Sequence, residues 1–129
     1  MKTTCEVLRH SFEAPDRPER IVSLSSGLTE ALFEMGFGDR VAGVSSYCGR
    51  YVAELEAPVV GDYLRLDEDR FAAAAPDLVL VTTGIQLPLA RRLAERGLPV
   101  YALPLPNSFY GILENLVLLG GLLNEMPAA

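Results

Sequence analysis

The chain has 129 residues, 50% hydrophobic and 22% charged, which suffices for one ordered domain with a substantial buried core. Its 17 acidic and 11 basic side chains give a formal net charge of -6 with no Lys/Arg cluster to offset it, which excludes nucleic acid as a partner. The two cysteines, Cys5 and Cys48, lie far apart with no CxxC pair, so they give neither a disulfide framework nor a zinc site and leave the redox compartment open.

Residues 1–20 combine short apolar stretches (Val7-Leu8, Phe12) with Pro15, Pro18 and five charges from Glu13 to Arg20, which suits a short edge strand or hairpin leading into the domain. The N-terminus shows no apolar run of the roughly 7–15 residues that a secretory signal needs. A chain beginning after a removed signal would read the same way. Ile21–Leu24 is the first buried strand, running out into Ser25-Ser26. Gly27 then permits a tight bend into a helix with Glu30 in its first turn, where the helix dipole favours an acid. Leu28, Leu32, Phe33 and Met35 face inward, and Gly36 and Gly38 end the helix. Val41–Val44 is the second strand, and it too runs out into small hydroxyl residues, Ser45-Ser46, followed by Tyr47.

From Tyr47 to Asp62 the periodicity fades, with Pro58–Gly61 a candidate short third strand. Asp67 caps the next helix, Leu66 and Phe71 occupy hydrophobic-staple positions, and Pro76 stops it. Leu78–Val81 is an uninterrupted apolar run, as expected of a parallel strand covered on both faces, and Thr82-Thr83-Gly84 makes a third small polar strand end. Pro88 in a first turn, Leu89 and Leu93 four apart, and Gly97 at the C-cap bound another helix, with a further strand over Val100–Leu103. Ser108 caps a last helix whose Ile112, Leu116, Leu119 and Leu123 repeat at helical spacing. This alternation predicts an α/β fold: a three-layer αβα domain with a Rossmann-like parallel sheet of four to five strands, right-handed crossovers and no internal boundary. Ligands of such sheets bind in the crevice outside the carboxyl ends of the strands, so the Ser-rich ends belong to one functional edge.

The first strand-to-helix turn, Ser25-Ser26-Gly27-Leu28, lacks the glycines of a dinucleotide fingerprint and the Lys of a phosphate loop. Ser23 and Ser25 stand where a receiver-type phosphorylation domain needs acids for magnesium. His10, the one histidine, falls in the lead-in, so neither a Ser/His pair nor a His-based metal centre assembles, and no catalytic or metal-ligating residue is predicted. Ser25, Ser26, Ser45 and Ser46 either satisfy backbone groups at turns or contact a ligand. Tyr47, Tyr51 and Tyr63 are either partly buried packing or a flat wall for a large planar ligand. Cys48 reads as a small hydrophobe, and Glu54 and Glu56 as a solvated face.

Arg20–Ser25, Thr29-Glu30, Val44–Tyr47, Pro76–Val81, Leu93-Ala94 with Gly97, and Ile112–Asn115 follow in an order and spacing that resembles the cobalamin-type ABC-transporter substrate-binding proteins. That class also carries haem and iron-siderophores. The resemblance spans residues 15–123 and implies the N-terminal lobe of a periplasmic-binding-protein-like fold over 1–129, with 1–20 as lead-in. It implies a binding protein, not an enzyme, that holds a corrinoid or related metal chelate in a cleft between two lobes, with no covalently bound cofactor, and passes it to a membrane permease. By position, Tyr47 becomes a wall against the corrin ring, Ser25, Ser26, Ser45 and Ser46 lie near the cleft floor, and Tyr63 and Leu64 line the same cleft. Thr83 and Gly84 fall in a loop where such proteins place a large aromatic, which this sequence lacks. The acid that docks to a permease arginine falls at Leu87, so that salt bridge is unmatched unless Glu95 replaces it. The chain ends at Ala129, where the family's connecting helix and second lobe begin. The resemblance thus implies half of a periplasmic or cell-surface receptor, whose bared inter-lobe face is able to self-associate. Two other readings are a stand-alone α/β protein-interaction domain, such as a split receptor half, and a small enzyme using Ser25 or Cys48.

Overall fold

The computed structural model describes residues 2–5, 7–13, 15, 18–46, 57–62, 64–104 and 109–123. Tyr47, Cys48, Tyr51, Glu54, Glu56, Tyr63 and Ser108 lie outside the described residues. The lead-in is an antiparallel hairpin of β1 (Lys2–Cys5) and β2 (His10–Glu13), with Thr3 opposite Phe12 and Cys5 opposite His10. Five strands then pair in parallel, β3 (Ile21–Ser23), β4 (Val41–Ser45), β5 (Val59–Gly61), β6 (Leu78–Thr82) and β7 (Val100–Leu103), in the spatial order β5-β4-β3-β6-β7.

The helices divide between the two faces of this sheet, which is why β3 and β6 are buried at every position. On one face α1 (Ser26–Glu34) and α4 (Phe109–Leu122) press Leu28, Leu32 and Leu119 onto Ile21, Val44, Leu78, Leu80 and Leu103. On the other, α2 (Glu68–Ala74) and α3 (Leu87–Glu95) press Phe71, Ala74, Leu89, Ala90 and Leu93 onto Val22, Val60, Val79, Val81 and Val100. This is the expected three-layer αβα arrangement, with five strands in the parallel sheet and the hairpin added.

Local chemistry sets the helix ends. Asp67 caps α2 by accepting from the Arg70 N–H at 3.2 Å. After α1 the Phe37 N–H donates to Leu32 O and the Gly36 N–H to Phe33 O, a Schellman closure made possible by Gly36 at φ 87°. Both edges of the sheet are also closed. Ala102 on the outer side of β7 donates its N–H to Cys5 Sγ at 3.4 Å, and the Cys5 thiol faces Ala102 O at 3.8 Å. Beyond β5 the chain doubles back, with Asp67 N–H donating to Val60 O at 2.8 Å and Leu66 bridging Gly61.

Two expectations are corrected. Helix α1 begins at Ser26 with Ser25 at its N-cap, so Glu30 lies in the second turn and not the first. In α4 the buried stripe runs through Asn115, Leu119 and Leu123, whereas Ile112 is 50% exposed. The amide of Asn115 turns inward because its Nδ2 donates to Pro104 O at 2.8 Å, and this fixes the rotation of the helix.

Ala75, at the end of α2, holds φ 46° and ψ 59°, a left-handed conformation that a Cβ disfavours. Ala75→Gly should relieve that strain and, after allowing for the freer unfolded chain, raise stability by about 0.5–1 kcal/mol in urea unfolding.

Candidate functional site: the carboxyl edge of the sheet

Because all five strands are parallel, their carboxyl ends share one edge, which carries Ser25, Ser46, Asp62, Thr83 and Pro104. The chain crosses to β4 by one face after β3 and to β7 by the opposite face after β6, so these neighbours form the topological switch point where an open sheet leaves a crevice. The β3–α1 turn is tied from beneath. Thr29, fully buried, donates its hydroxyl towards Ser23 Oγ at 2.8 Å and Ser25 O at 3.0 Å. Ser25 is extended, at φ -111° and ψ 127°, and makes no side-chain cap bond to α1 among the described residues.

A fully buried amide, Gln86, joins the two sides of the switch point. Its Oε1 accepts from the Thr82 N–H at 3.0 Å and the Thr82 hydroxyl at 3.2 Å, while its Nε2 donates to Leu24 O at 2.9 Å. Gln86 reaches back because the chain turns sharply at Gly84, φ 87°, into a 3-10 turn ahead of α3. Between α1, this turn and α4 lies a pocket of about 440 Å³. Ser25, Ser26, Thr82 and Asn115 supply its neutral polar groups, Glu30 and Glu34 of α1 its two carboxylates, and Leu28, Ile85 and Ile112 its apolar wall.

Of the residues expected at the site, Ser25, Ser26, Thr83 and Gly84 cluster at this switch point, and Ser25 and Ser26 line the pocket. Ser46 is exposed at the end of β4, its N–H donating to Gly61 O at 2.9 Å, whereas Ser45 has no exposed surface and lies beneath the edge. Leu64 is exposed on a turn built by Asp62, whose Oδ1 accepts from the Leu64 and Arg65 N–H groups at 2.7 and 2.8 Å. Tyr47 and Tyr63 fall outside the described residues. Sequence reasoning missed Gln86, and it names Thr29 and Asn115 only among the residues that carry the resemblance, without a structural role. A lone amide in the apolar Ile85–Leu89 run, directly after a strand, is the signal that could have singled out Gln86. His10 sits at the opposite end of the sheet, its Nε2 at 2.7 Å from Leu98 O ahead of β7. Among the described residues no group of three or more His, Cys, Asp or Glu side chains could hold a metal ion, and no helix is long and apolar enough to cross a membrane.

An open parallel α/β lobe whose small polar strand ends gather at one switch point is the architecture of a periplasmic-binding-protein lobe. Residues 21–129 match the family model for periplasmic binding proteins, and the chain belongs to that family. It is 28% identical over 115 residues to a cobalamin-binding protein of Halobacterium salinarum, covering 87% of this chain and 31% of the relative. It is 33% identical over 85 residues to a vitamin B12-binding protein of Yersinia pestis, covering 64% of this chain and 30% of the relative. Among solved structures, a petrobactin-binding protein from Bacillus subtilis superposes with a TM-score of 0.77 at 17% identity, over 97% of this chain and 45% of the other. A periplasmic vitamin B12-binding protein of Vibrio cholerae gives 0.64 at 24% identity, over 77% and 40%. The chain thus spans less than a third of the length of these curated relatives.

Thr29→Val keeps the side-chain shape but removes the hydroxyl that ties Ser23 and Ser25 beneath the edge, and should cost about 1–3 kcal/mol in denaturant unfolding. The two backbone N–H groups on Asp62, first Leu64 and then Arg65, hold its carboxyl below the ordinary 3.8. A depressed folded pKa means that the turn's stabilisation is intact above that ordinary value and lost as pH falls through the lowered one. Carbon-13 titration of the Asp62 carboxyl should therefore show a midpoint below 3.8, with faster Leu64 and Arg65 amide exchange only beneath it.

Proposed function

We propose that this chain is the N-terminal lobe of a solute-binding component of an ABC-type uptake system, and that its carboxyl sheet edge forms one wall of an inter-lobe cleft for a corrinoid or related metal chelate. The observation that carries this reading is the gathering of Ser25, Ser26, Thr83 and Gly84 at the β3–β6 switch point, beside a pocket of about 440 Å³ with a mainly apolar wall. A corrinoid has a broad apolar ring edged by amide side arms. Ile85 and Ile112, both well exposed, suit the ring, and the serine hydroxyls and backbone N–H groups at the start of α1 suit the amides. The relatives named for cobalamin or vitamin B12 support this ligand class, and neighbours named for petrobactin and haem widen it to metal chelates. Tyr47 and Tyr63 complete the wall in this reading, with Ser46 and Leu64 further along the edge.

The proposed function is carriage without catalysis, a reading supported by the relatives named as binding proteins. The reading places the protein in the periplasm, delivering its ligand to a membrane permease, with a second lobe as the opposite wall. The outward face of α4 supports a further packing partner, since Tyr110, Ile112, Leu113, Val117 and Leu118 are 36–75% exposed.

A ligand shared between two lobes loses about half of its buried contact when one is missing, while small-molecule sites bury roughly 70–90% of their ligand. Cyanocobalamin should therefore bind this chain weakly, with no sub-micromolar affinity in equilibrium dialysis. In amide NMR it should shift Ser25, Ser26, Ser46, Leu64, Thr83 and Gly84 selectively. No response at this edge to saturating cyanocobalamin, haem or a ferric siderophore would overturn the reading. Sedimentation at several concentrations should show self-association that Val117→Glu abolishes.

A further inference from the structure

The register of β3 against β6 shows what the Gln86 amide displaces. Ile21, Val22 and Ser23 stand opposite Leu78, Val79 and Leu80, and the ladder runs one bond further, the Leu24 N–H donating to Leu80 O at 3.0 Å. In a parallel ladder each residue on one strand bonds the two residues flanking its partner, so the next rung should join the Thr82 N–H directly to Leu24 O. Those two atoms are the ones that Gln86 takes instead, its oxygen on the Thr82 N–H and its nitrogen on Leu24 O. The amide's orientation is fixed by its partners. Its oxygen receives two donors, the Thr82 N–H and hydroxyl, and its nitrogen faces a carbonyl.

We infer that Gln86 is a positioning residue for the ligand edge: its carboxamide is a spacer set into the β3–β6 ladder, which ends the pairing one rung early and holds the ends of β3 and β6 apart beside the pocket that Ser25 and Thr82 line. The inference rests on the proposed binding role of that edge. A direct rung would bring the Thr82 N–H within hydrogen-bond distance of Leu24 O. The interposed amide separates them by its own width plus a second hydrogen bond, and both backbone groups remain satisfied. Glutamine is the residue the task requires, because it offers a donor and an acceptor on one rigid plane at the end of a stem long enough to reach back from the 3-10 turn. Shortening it to alanine leaves the two strands free to zip closed. A carboxylate keeps the acceptor for Thr82 but sets a negative oxygen against Leu24 O, and protonation restores the missing donor.

NMR of the full chain tests this with isotope-labelled wild type, Gln86→Ala and Gln86→Glu. In the wild type a scalar coupling should cross from the Gln86 side-chain N–H to the Leu24 carbonyl carbon. In Gln86→Ala it should vanish and be replaced by one from the Thr82 amide to the same carbon, with shifts at Ser25, Ser26, Thr83 and Gly84 and none in the β1–β2 hairpin. Gln86→Glu should have a perturbed edge at pH 7 and a wild-type edge once pH falls below the pKa of the introduced carboxyl, which burial and the facing carbonyl raise. Merely structural filling would not produce that pH-dependent rescue. Cyanocobalamin titrated into the same samples should bind about 10-fold more weakly to both variants at pH 7. Absence of the wild-type coupling, or a folded Gln86→Ala whose edge amides do not move, would overturn the inference. If Gln86→Ala fails to fold, a pH-independent edge in Gln86→Glu would do so. Should cyanocobalamin leave the wild-type edge untouched while the coupling is present, the ligand reading fails and the spacer role stands.

Discussion

The early end of the β3–β6 pairing is the constraint on which the rest of the carboxyl edge depends. Two adjacent parallel strands would ordinarily stay bonded until one of them turns away, leaving little room between their tips. Here the pairing stops at Leu24 and Leu80, and a buried side chain satisfies the next donor and acceptor. The two strand ends can then part at no loss of hydrogen bonding. Helix α1 leaves on one face and α3 on the other, and the pocket lies on the α1 side, between α1, the 3-10 turn and α4. Thr29 and Asn115 serve the same end, one tying down the β3–α1 turn and the other tying α4 to Pro104. Three polar side chains, each at most 6% exposed, thus hold the rim of a mostly apolar hollow.

Much of the fold was legible in the sequence because the strongest signals were local. Uninterrupted apolar runs such as Leu78–Val81 can be covered only from both sides, and glycines at Gly36 and Gly97 end helices by conformations that other residues adopt at a cost. The edge residues Ser25, Ser26, Thr83 and Gly84 were legible for a topological reason, since parallel strands align their ends whatever their detailed packing. Rotation of α4 was not legible. From Leu116 to Leu119 every residue is apolar, so hydrophobic spacing alone cannot choose a phase, and a tertiary hydrogen bond from Asn115 decides it. Gln86 was hidden for the same reason. Its partner Leu24 is distant in sequence, and nothing in a linear pattern marks a backbone carbonyl as waiting for an amide.

Family membership and the geometry of the edge bear on different questions. Membership in the periplasmic binding proteins fixes the family, and similar proteins carry names for cobalamin and vitamin B12. The edge presents a shallow hollow with hydroxyls at one rim, branched aliphatic side chains as its wall and two carboxylates along α1, and the proposed reading sets a large ring there. A surface of this kind grips incompletely by itself.

The sealed margins of the sheet also have a bearing on how this lobe meets other molecules. Cys5 takes the Ala102 N–H on the outward side of β7, and the returning chain takes Val60 O on that of β5, so among the described residues both rims are partly occupied against a stranger's strand. Lateral growth into ribbons or fibrils is thereby obstructed on both sides. Encounters are channelled to helical surfaces, among them the bare hydrophobic face of α4, and to the open end of the domain.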